Sequence, residues 1–191
     1  MPETKSVFFS VMQSPAGPLL LAATEDGLRH LQFHRGQRPQ PGKDEVWIES
    51  REHLHQYEDQ INAYFRGELR EFTFKLDLAG TGFQKDCWQA LLRIPYGETR
   101  TYADIAKEIG RPQAFRAVGQ ANHDNPIAII VPCHRVLGAD GTLTGYGGGL
   151  NTKEKLLLLE GARFRLPHSA EKTLKEKKRA ADPDQQARFQ Y

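Results

Sequence analysis

The run Ile127-Ala128-Ile129-Ile130-Val131 has to be buried, and it leads straight into Pro132-Cys133-His134-Arg135-Val136. This stretch limits the folding of the chain more tightly than any other. Five apolar residues in succession, four of them β-branched, predict a strand covered on both faces. Its end then delivers a thiol with an imidazole beside it to the edge of a core. Thiolate is the reactive form of cysteine, and a basic, hydrogen-bonding neighbourhood lowers its pKa. A lone cysteine is more commonly a buried, inert side chain, but the flanking His134 and Arg135 weigh against that here.

The chain of 191 residues suits one domain or two small ones. No stretch approaches the roughly 18 continuous apolar residues of a membrane helix. The start, Met1-Pro2-Glu3-Thr4-Lys5, lacks the charged-then-apolar form of a secretory signal. Two cysteines cannot make a disulfide framework or a four-cysteine zinc site. A cytoplasmic protein is therefore expected, or a nuclear one if the cell has a nucleus. Net charge is only +2, but its distribution is uneven: residues 1–78 carry 9 basic against 12 acidic side chains, and residues 79–166 carry 11 against 8. The positive half also holds Cys133, which is compatible with a polyanionic partner.

Residues 6–33 read as a small meander: Ser6 to Val11, a turn at Ser14-Pro15-Ala16-Gly17, Leu19 to Ala23, a turn at Glu25-Asp26-Gly27, then Leu28 to Phe33. Residues 35–44 read as a surface loop. Leu54, Tyr57, Ile61, Tyr64 and Phe65 recur at helical spacing, so 50–66 is expected to be an amphipathic helix ended by Gly67. Phe72, Phe74, Leu76 and Leu78 alternate as in a strand, and 79–82 reads as a linker. The remainder is mostly helical. Phe83 to Ile94 is one helix, stopped by Pro95-Tyr96-Gly97. Thr101-Tyr102-Ala103-Asp104 has a capping-box look and starts a helix ending at Gly110. Arg111-Pro112-Gln113 turns, and Ala114 to Ala121 is a further helix. Helix, short turn, helix is the helix-turn-helix pattern, although an ordinary helical hairpin is commoner for an arbitrary sequence. Leu156 to Leu159 sits on a last short helix ending at Glu160-Gly161, and 167–191 reads as a polar tail. The resulting division is 1–79, 80–166 and the tail.

Several of these residues in this order resemble the O6-alkylguanine-DNA alkyltransferase family, the methylated-DNA–protein-cysteine methyltransferases. The likeness runs from about Phe83 to Gly161. It is carried by Phe83-Gln84, Trp88, Ile94-Pro95, Gly97, Tyr102, Ile105-Ala106, Arg116-Ala117-Val118-Gly119, Asn122, Asn125-Pro126, Val131 to Val136, Gly145-Tyr146, Gly148-Gly149-Leu150, Lys153-Glu154 and Glu160-Gly161. The N-terminal part is similar more loosely, through Ser14 to Gly17 and Leu19 to Leu28.

The resemblance implies an α/β fold: a small antiparallel sheet with a helix, ribonuclease-H-like, then a winged helix-turn-helix-like domain. It implies repair of O6-alkylguanine in double-stranded DNA, with O4-alkylthymine as a further substrate, by a monomer needing no cofactor or metal. Cys133 would accept the alkyl group irreversibly, His134 would draw the thiol proton through a water, Glu160 would orient that histidine, and Asn125 would support the cysteine loop. Tyr102 would donate to guanine N3. Arg116 would fill the gap left by the extruded nucleotide, with Ala117, Gln113, Tyr102 and Arg135 also at the DNA; Arg135 would in addition set the local backbone. Tyr146, Gly147, Val136 and Pro132 would form the base pocket. The chemistry has its own logic. An alkyl ether carbon is a poor electrophile and needs a soft, deprotonated nucleophile, and its base must be flipped out of the duplex to be reached. The sequence departs from the family at Cys87, usually aliphatic there, at Gly147, where some relatives carry Ser or Ala, and at Lys155, where an aromatic is common. Three other readings stay open: a lesion binder that cannot react, a helix-turn-helix regulator and a cysteine hydrolase.

Overall fold

The computed structural model describes residues 4–36, 42 and 44–165. The tail expected over 167–191 lies outside the described residues, as does most of the loop at 35–44. The first layer is a four-stranded sheet made of β1 (Lys5–Met12), β2 (Leu19–Thr24), β3 (Gly27–Phe33) and β4 (Glu45–Glu49), in the order β3-β2-β1-β4. The meander pairs antiparallel as its turns require, with a bulge between Ala22 and Ala23. Every residue of β2 is buried, which is why Leu19 to Ala23 reads as an unbroken apolar run.

The sheet is not wholly antiparallel. β4 lies parallel to β1, with Val7 opposite Trp47. The sequence hides this strand because Val46 and Ile48 point outward and are 49% and 40% exposed, while Trp47 turns in against Phe9 and His30. The alternating Phe72 to Leu78 also corrects the expectation. That segment is extended, but it pairs with β3 only at Leu28, where Leu28 N–H donates to Lys75 O (3.0 Å) and Asp77 N–H to Leu28 O (2.8 Å). The rest of the β3 edge is taken by Ile127, which bridges to Leu31.

Helix α1 (His55–Phe65) follows a 3-10 turn at Glu52–Leu54 and packs Tyr57, Ile61 and Tyr64 into the core. Helix α2 (Gly82–Leu92) starts at Thr81, not within a linker. Thr81 Oγ1 accepts from Gln84 N–H, and the Gln84 side chain accepts from Thr81 N–H at 2.9 Å, satisfying two donors that a helix start leaves free. The same device opens α3 (Tyr102–Glu108), with Thr101 and Asp104 in those roles. Preceding α3 is the short strand β5 (Arg100–Thr101). Helix α4 (Phe115–His123) completes the helix-turn-helix, and Gly110, with φ +71°, makes the turn. Trp88 on α2 is buried and its Nε1–H reaches Ala121 O on α4 at 2.9 Å, tying the two helices. Strand β6 (Val136–Leu137) runs parallel to β5, and α5 (Leu150–Leu159) is the last described helix, after which Arg165 bridges to Thr142. One core runs through both layers, from Leu19, Leu28 and Ile61 to Trp88, Ile105, Val131 and Leu156. No helix among the described residues is long and apolar enough to cross a membrane.

The apolar run 127–131 is buried as expected but is not a strand. It coils into a tight loop in which Val131 N–H donates to Ile127 O (3.0 Å) and Ile129 takes φ +73°. A β-branched residue reaches that region only where the surroundings fix it. Asn125 supplies the constraint. Its carbonyl accepts from Ile127 N–H (3.0 Å) and its amide donates to Val131 O (2.8 Å), so one side chain staples both ends of the loop. Buried backbone groups that a strand would pair with a neighbour are satisfied here by a side chain.

Candidate active site

The loop held by Asn125 hands the chain to a 3-10 turn, Cys133–Arg135, that carries Cys133 and His134, two of the side chains expected to do chemistry, and Arg135. Cys133 is buried, and Asn125 Nδ2 lies 3.3 Å from its Sγ. Burial pushes the Cys133 thiol above its usual pKa, against the opposing pull of the Asn125 amide, the Lys153 charge and nearby backbone N–H groups. The resting site therefore holds a thiol that needs a base to ionise it.

His134 is fully buried, and burial holds its pKa below the ordinary histidine value although Glu160 pulls the other way. The ring is neutral at pH 7. Its Nε2 is 2.9 Å from Glu160 Oε1, so against a carboxylate Nε2 carries the proton and Nδ1 is left as the acceptor. Nδ1 has no hydrogen-bond partner among the described residues.

Glu160 caps α5 and lies at the centre of a buried network. Burial alone would raise its pKa, but His134 and Arg135 overturn that and hold the carboxylate far below the usual range. Arg135 Nε donates to Oε2 (2.8 Å) and Nη2 to Oε1 (2.9 Å); Tyr64, from α1 in the other layer, donates its hydroxyl to Oε1 (2.7 Å). Gly97 allows this packing. It has φ +80°, and a Cβ there would sit 2.8 Å from Glu160 O. Arg135 was expected to contribute to DNA contact as well as to the local backbone. It is buried, with its third contact from Nη1 to Ile94 O, so its guanidinium is committed inside the protein and not available to a phosphate.

Cys133, Asn125, Tyr146 and Gly147 line one cavity of about 300 Å³, together with Asn122, Ala128 and, from the sheet layer, Gln32, Phe33 and Arg35. Tyr146 stands edge-on to Phe33, and Arg35 donates to Gly147 O (2.9 Å). Of the four expected pocket residues, Pro132 and Val136 do not line it. Val136 is wholly buried, and Pro132 faces a separate groove with Phe72 and Tyr96. Tyr102, at the start of α3, is half-buried. Its hydroxyl is 3.0 Å from Thr144 Oγ1, and its ring lies beside Gly119 of α4. Gln113, Arg116 and Ala117 are exposed on the turn and on α4, with the Arg116 guanidinium over the exposed Phe115 ring.

Sequence reasoning gave no role to Tyr64, Asn122, Thr144 or Lys153. Lys153 is fully buried on α5, its Nζ donating to Val136 O (2.6 Å) and Thr144 O (3.0 Å), and burial pulls its pKa down to about 8. It ties the turn after Cys133 to the loop carrying Tyr146. Its neighbours Asn151, Thr152, Glu154 and Lys155 are polar, so nothing local marks this lysine as buried. Cys87 lies fully buried on α2 with its thiol pushed up to about 11, chiefly by burial, as befits an inert cysteine.

Two family models match the chain: 6-O-methylguanine DNA methyltransferase, ribonuclease-like domain, over residues 7–78, and 6-O-methylguanine DNA methyltransferase, DNA binding domain, over residues 82–162. A methylated-DNA–protein-cysteine methyltransferase of Methanosarcina acetivorans is 54% identical over 156 residues, which span 82% of this chain and 99% of the relative. One of Mycobacterium tuberculosis is 53% identical over 157 residues, 82% of this chain and 94% of that one. Among solved structures, the M. tuberculosis O6-methylguanine methyltransferase superposes with a TM-score of 0.74 at 53% identity, covering 83% of this chain and 95% of that one. The M. tuberculosis OGT in complex with DNA gives 0.71 at 51% identity, covering 82% and 92%.

Proposed function

Since the chain belongs to the 6-O-methylguanine DNA methyltransferase family, we propose that it repairs duplex DNA by moving the alkyl group of O6-alkylguanine onto Cys133, once per molecule. The observation that carries this reading is Cys133 at the wall of a cavity that also bears Asn125 and Tyr146, next in the chain to a buried His134 that is hydrogen-bonded to Glu160. A neutral imidazole with Nδ1 free and Nε2 anchored on a carboxylate is prepared to take a proton and to keep the resulting charge. The thiol proton passes to His134 through a solvent molecule. Sγ then attacks the alkyl carbon; the S–C bond forms as the C–O6 bond breaks, and the electron pair leaves with the guanine. Tyr102 donates toward guanine N3 as that charge builds, and the base is reprotonated to ordinary guanine. The thioether cannot be hydrolysed, so the protein is spent.

DNA is met by the helix-turn-helix. Exposed Gln113, Arg116 and Ala117 face the duplex, with Arg116 taking the space of the flipped nucleotide. The work divides between residues 1–79, which wall the cavity and anchor Glu160 through Tyr64, and residues 80–166, which carry the nucleophile and the DNA contacts. The reaction belongs in the compartment that holds DNA, the cytoplasm of a cell without a nucleus. The test is intact-mass and peptide mapping after incubation with a methylated duplex. One CH2 added at Cys133 is the expected result. Its appearance on Cys87, or transfer by Cys133→Ser, refutes the assignment.

A further inference from the structure

Four buried side-chain atoms among the described residues lack any hydrogen-bond partner: both amide atoms of Asn122, His134 Nδ1 and the Tyr146 hydroxyl. All belong to residues that line the Cys133 cavity or adjoin Cys133. Buried polar groups are nearly always paired, and leaving one unpaired is costly. The His134 atom is accounted for by proton transfer. The Asn122 amide has no such account. Asn122 is 9% exposed and sits on α4 one turn after the buried Val118, beside the buried Ala121. An apolar residue of the same size would fill that place without orphaned atoms, so the amide costs stability and returns nothing to the fold.

We infer that Asn122 is a base-reading residue: its side-chain amide donates a hydrogen bond to a ring nitrogen of the flipped purine in the Cys133 cavity. The chemistry of the substrate fits. Alkylation at O6 removes the N1 proton, so the damaged base offers acceptors at N1, N3 and N7. The proposed function gives N3 to Tyr102, on which this inference rests, and leaves N1 and N7 for an amide donor. A side chain whose amide donor finds a partner only when the base is bound contributes to recognition without contributing to folding.

The test uses the full-length protein and free O6-benzylguanine, which needs no base flipping, alongside its 1-deaza and 7-deaza analogues, in which a C–H replaces one acceptor. Wild-type and Asn122→Leu proteins are compared by the rate of benzyl transfer to Cys133 and by melting temperature. One analogue should slow the wild type by about fivefold to tenfold, the worth of one neutral hydrogen bond. Asn122→Leu should show that loss already on the parent compound and no further loss on that analogue, with a melting temperature equal to or above wild type. Transfer by Asn122→Leu at the wild-type rate overturns the inference, as does a deaza penalty of the same size in both proteins. Should the leucine variant not fold, Asn122→Ala takes its place in the same comparison. A wild-type protein that takes neither a benzyl group from the free base nor a methyl group from a methylated duplex at Cys133 refutes instead the alkyl-transfer reading beneath it, and one that takes only methyl is tested with O6-methylguanine and its deaza analogues.

Discussion

Replacing Glu160 by Gln keeps the shape of the buried network and removes its charge. In the structure Oε1 is 2.9 Å from His134 Nε2, and at an effective dielectric constant of 20 two unit charges at that distance attract by about 6 kcal/mol. Arg135, equally close to the carboxylate, offsets much of this for a charged His134, so roughly a third to a half survives as net stabilisation of the imidazolium. That leaves about 2–3 kcal/mol, or a fall of about 30- to 150-fold in the rate of transfer. Stability falls as well. The Arg135 guanidinium stays buried without its counter-charge, which costs about 3–5 kcal/mol, or about 10 °C in Tm for a chain of this size. Single-turnover transfer from a methylated duplex across pH, with binding followed by fluorescence anisotropy, measures the first effect; thermal unfolding measures the second. DNA affinity should be nearly unchanged, because Glu160 is buried away from α4. Tyr64→Phe is the control: it removes one donor to Oε1 but no charge, so it should slow transfer far less. A Glu160→Gln protein that melts early yet transfers at the wild-type rate would show that the carboxylate supports the fold alone, and the proton relay would be wrong.

Other consequences follow from the same geometry. Arg116→Ala should slow repair of a duplex by tenfold or more, yet spare reaction with free O6-benzylguanine, since only the duplex leaves a gap to fill; equal losses would assign Arg116 to the pocket. Duplex binding should weaken with salt along a shallow slope, on the order of −2 to −5 in log K against log salt, because residues 79–166 carry only a modest basic excess; a steep slope or a strong preference for one undamaged sequence would favour a regulator. Stability should decline on acidification in two stages. The pKa of His134 is lowered by folding, so the unfolded chain gains its proton first and stability begins to fall below about pH 6.5. The pKa of Glu160 is depressed too, so its contribution is complete above about pH 4.3 and is lost below it. Urea unfolding at a series of pH values reads both, and a curve flat from pH 7 to pH 3.5 would contradict the buried network.

Local rules made much of this protein legible before its structure. The meander reads from turn residues at 14–17 and 25–27, and one helix start from Thr101 with an acceptor three residues on, whereas the Thr81 cap reads as linker. The nucleophile reads from a thiol beside an imidazole and a guanidinium. Each depends on neighbours within a few residues, where covalent spacing fixes what can meet. What the sequence could not state is how distant segments share partners. The run 127–131 has the composition of a strand, but the β3 edge accepts it only at Ile127, and Asn125 closes the rest into a loop. The alternation at 72–78 has the period of a strand, but its ladder is a single bridge at Leu28. Arg135 has the composition of a DNA contact and is spent on Glu160 and Ile94. Tyr64 and Asn122 give no local sign of the site. Tyr64 joins it across 96 residues of chain through one hydrogen bond, and Asn122, though part of the family pattern, has a place in the site only through an amide buried with nothing to bond. Hydrogen-bond satisfaction in a packed interior is a property of the whole fold, and it decided which of the expected residues face the cavity and which hold it in place.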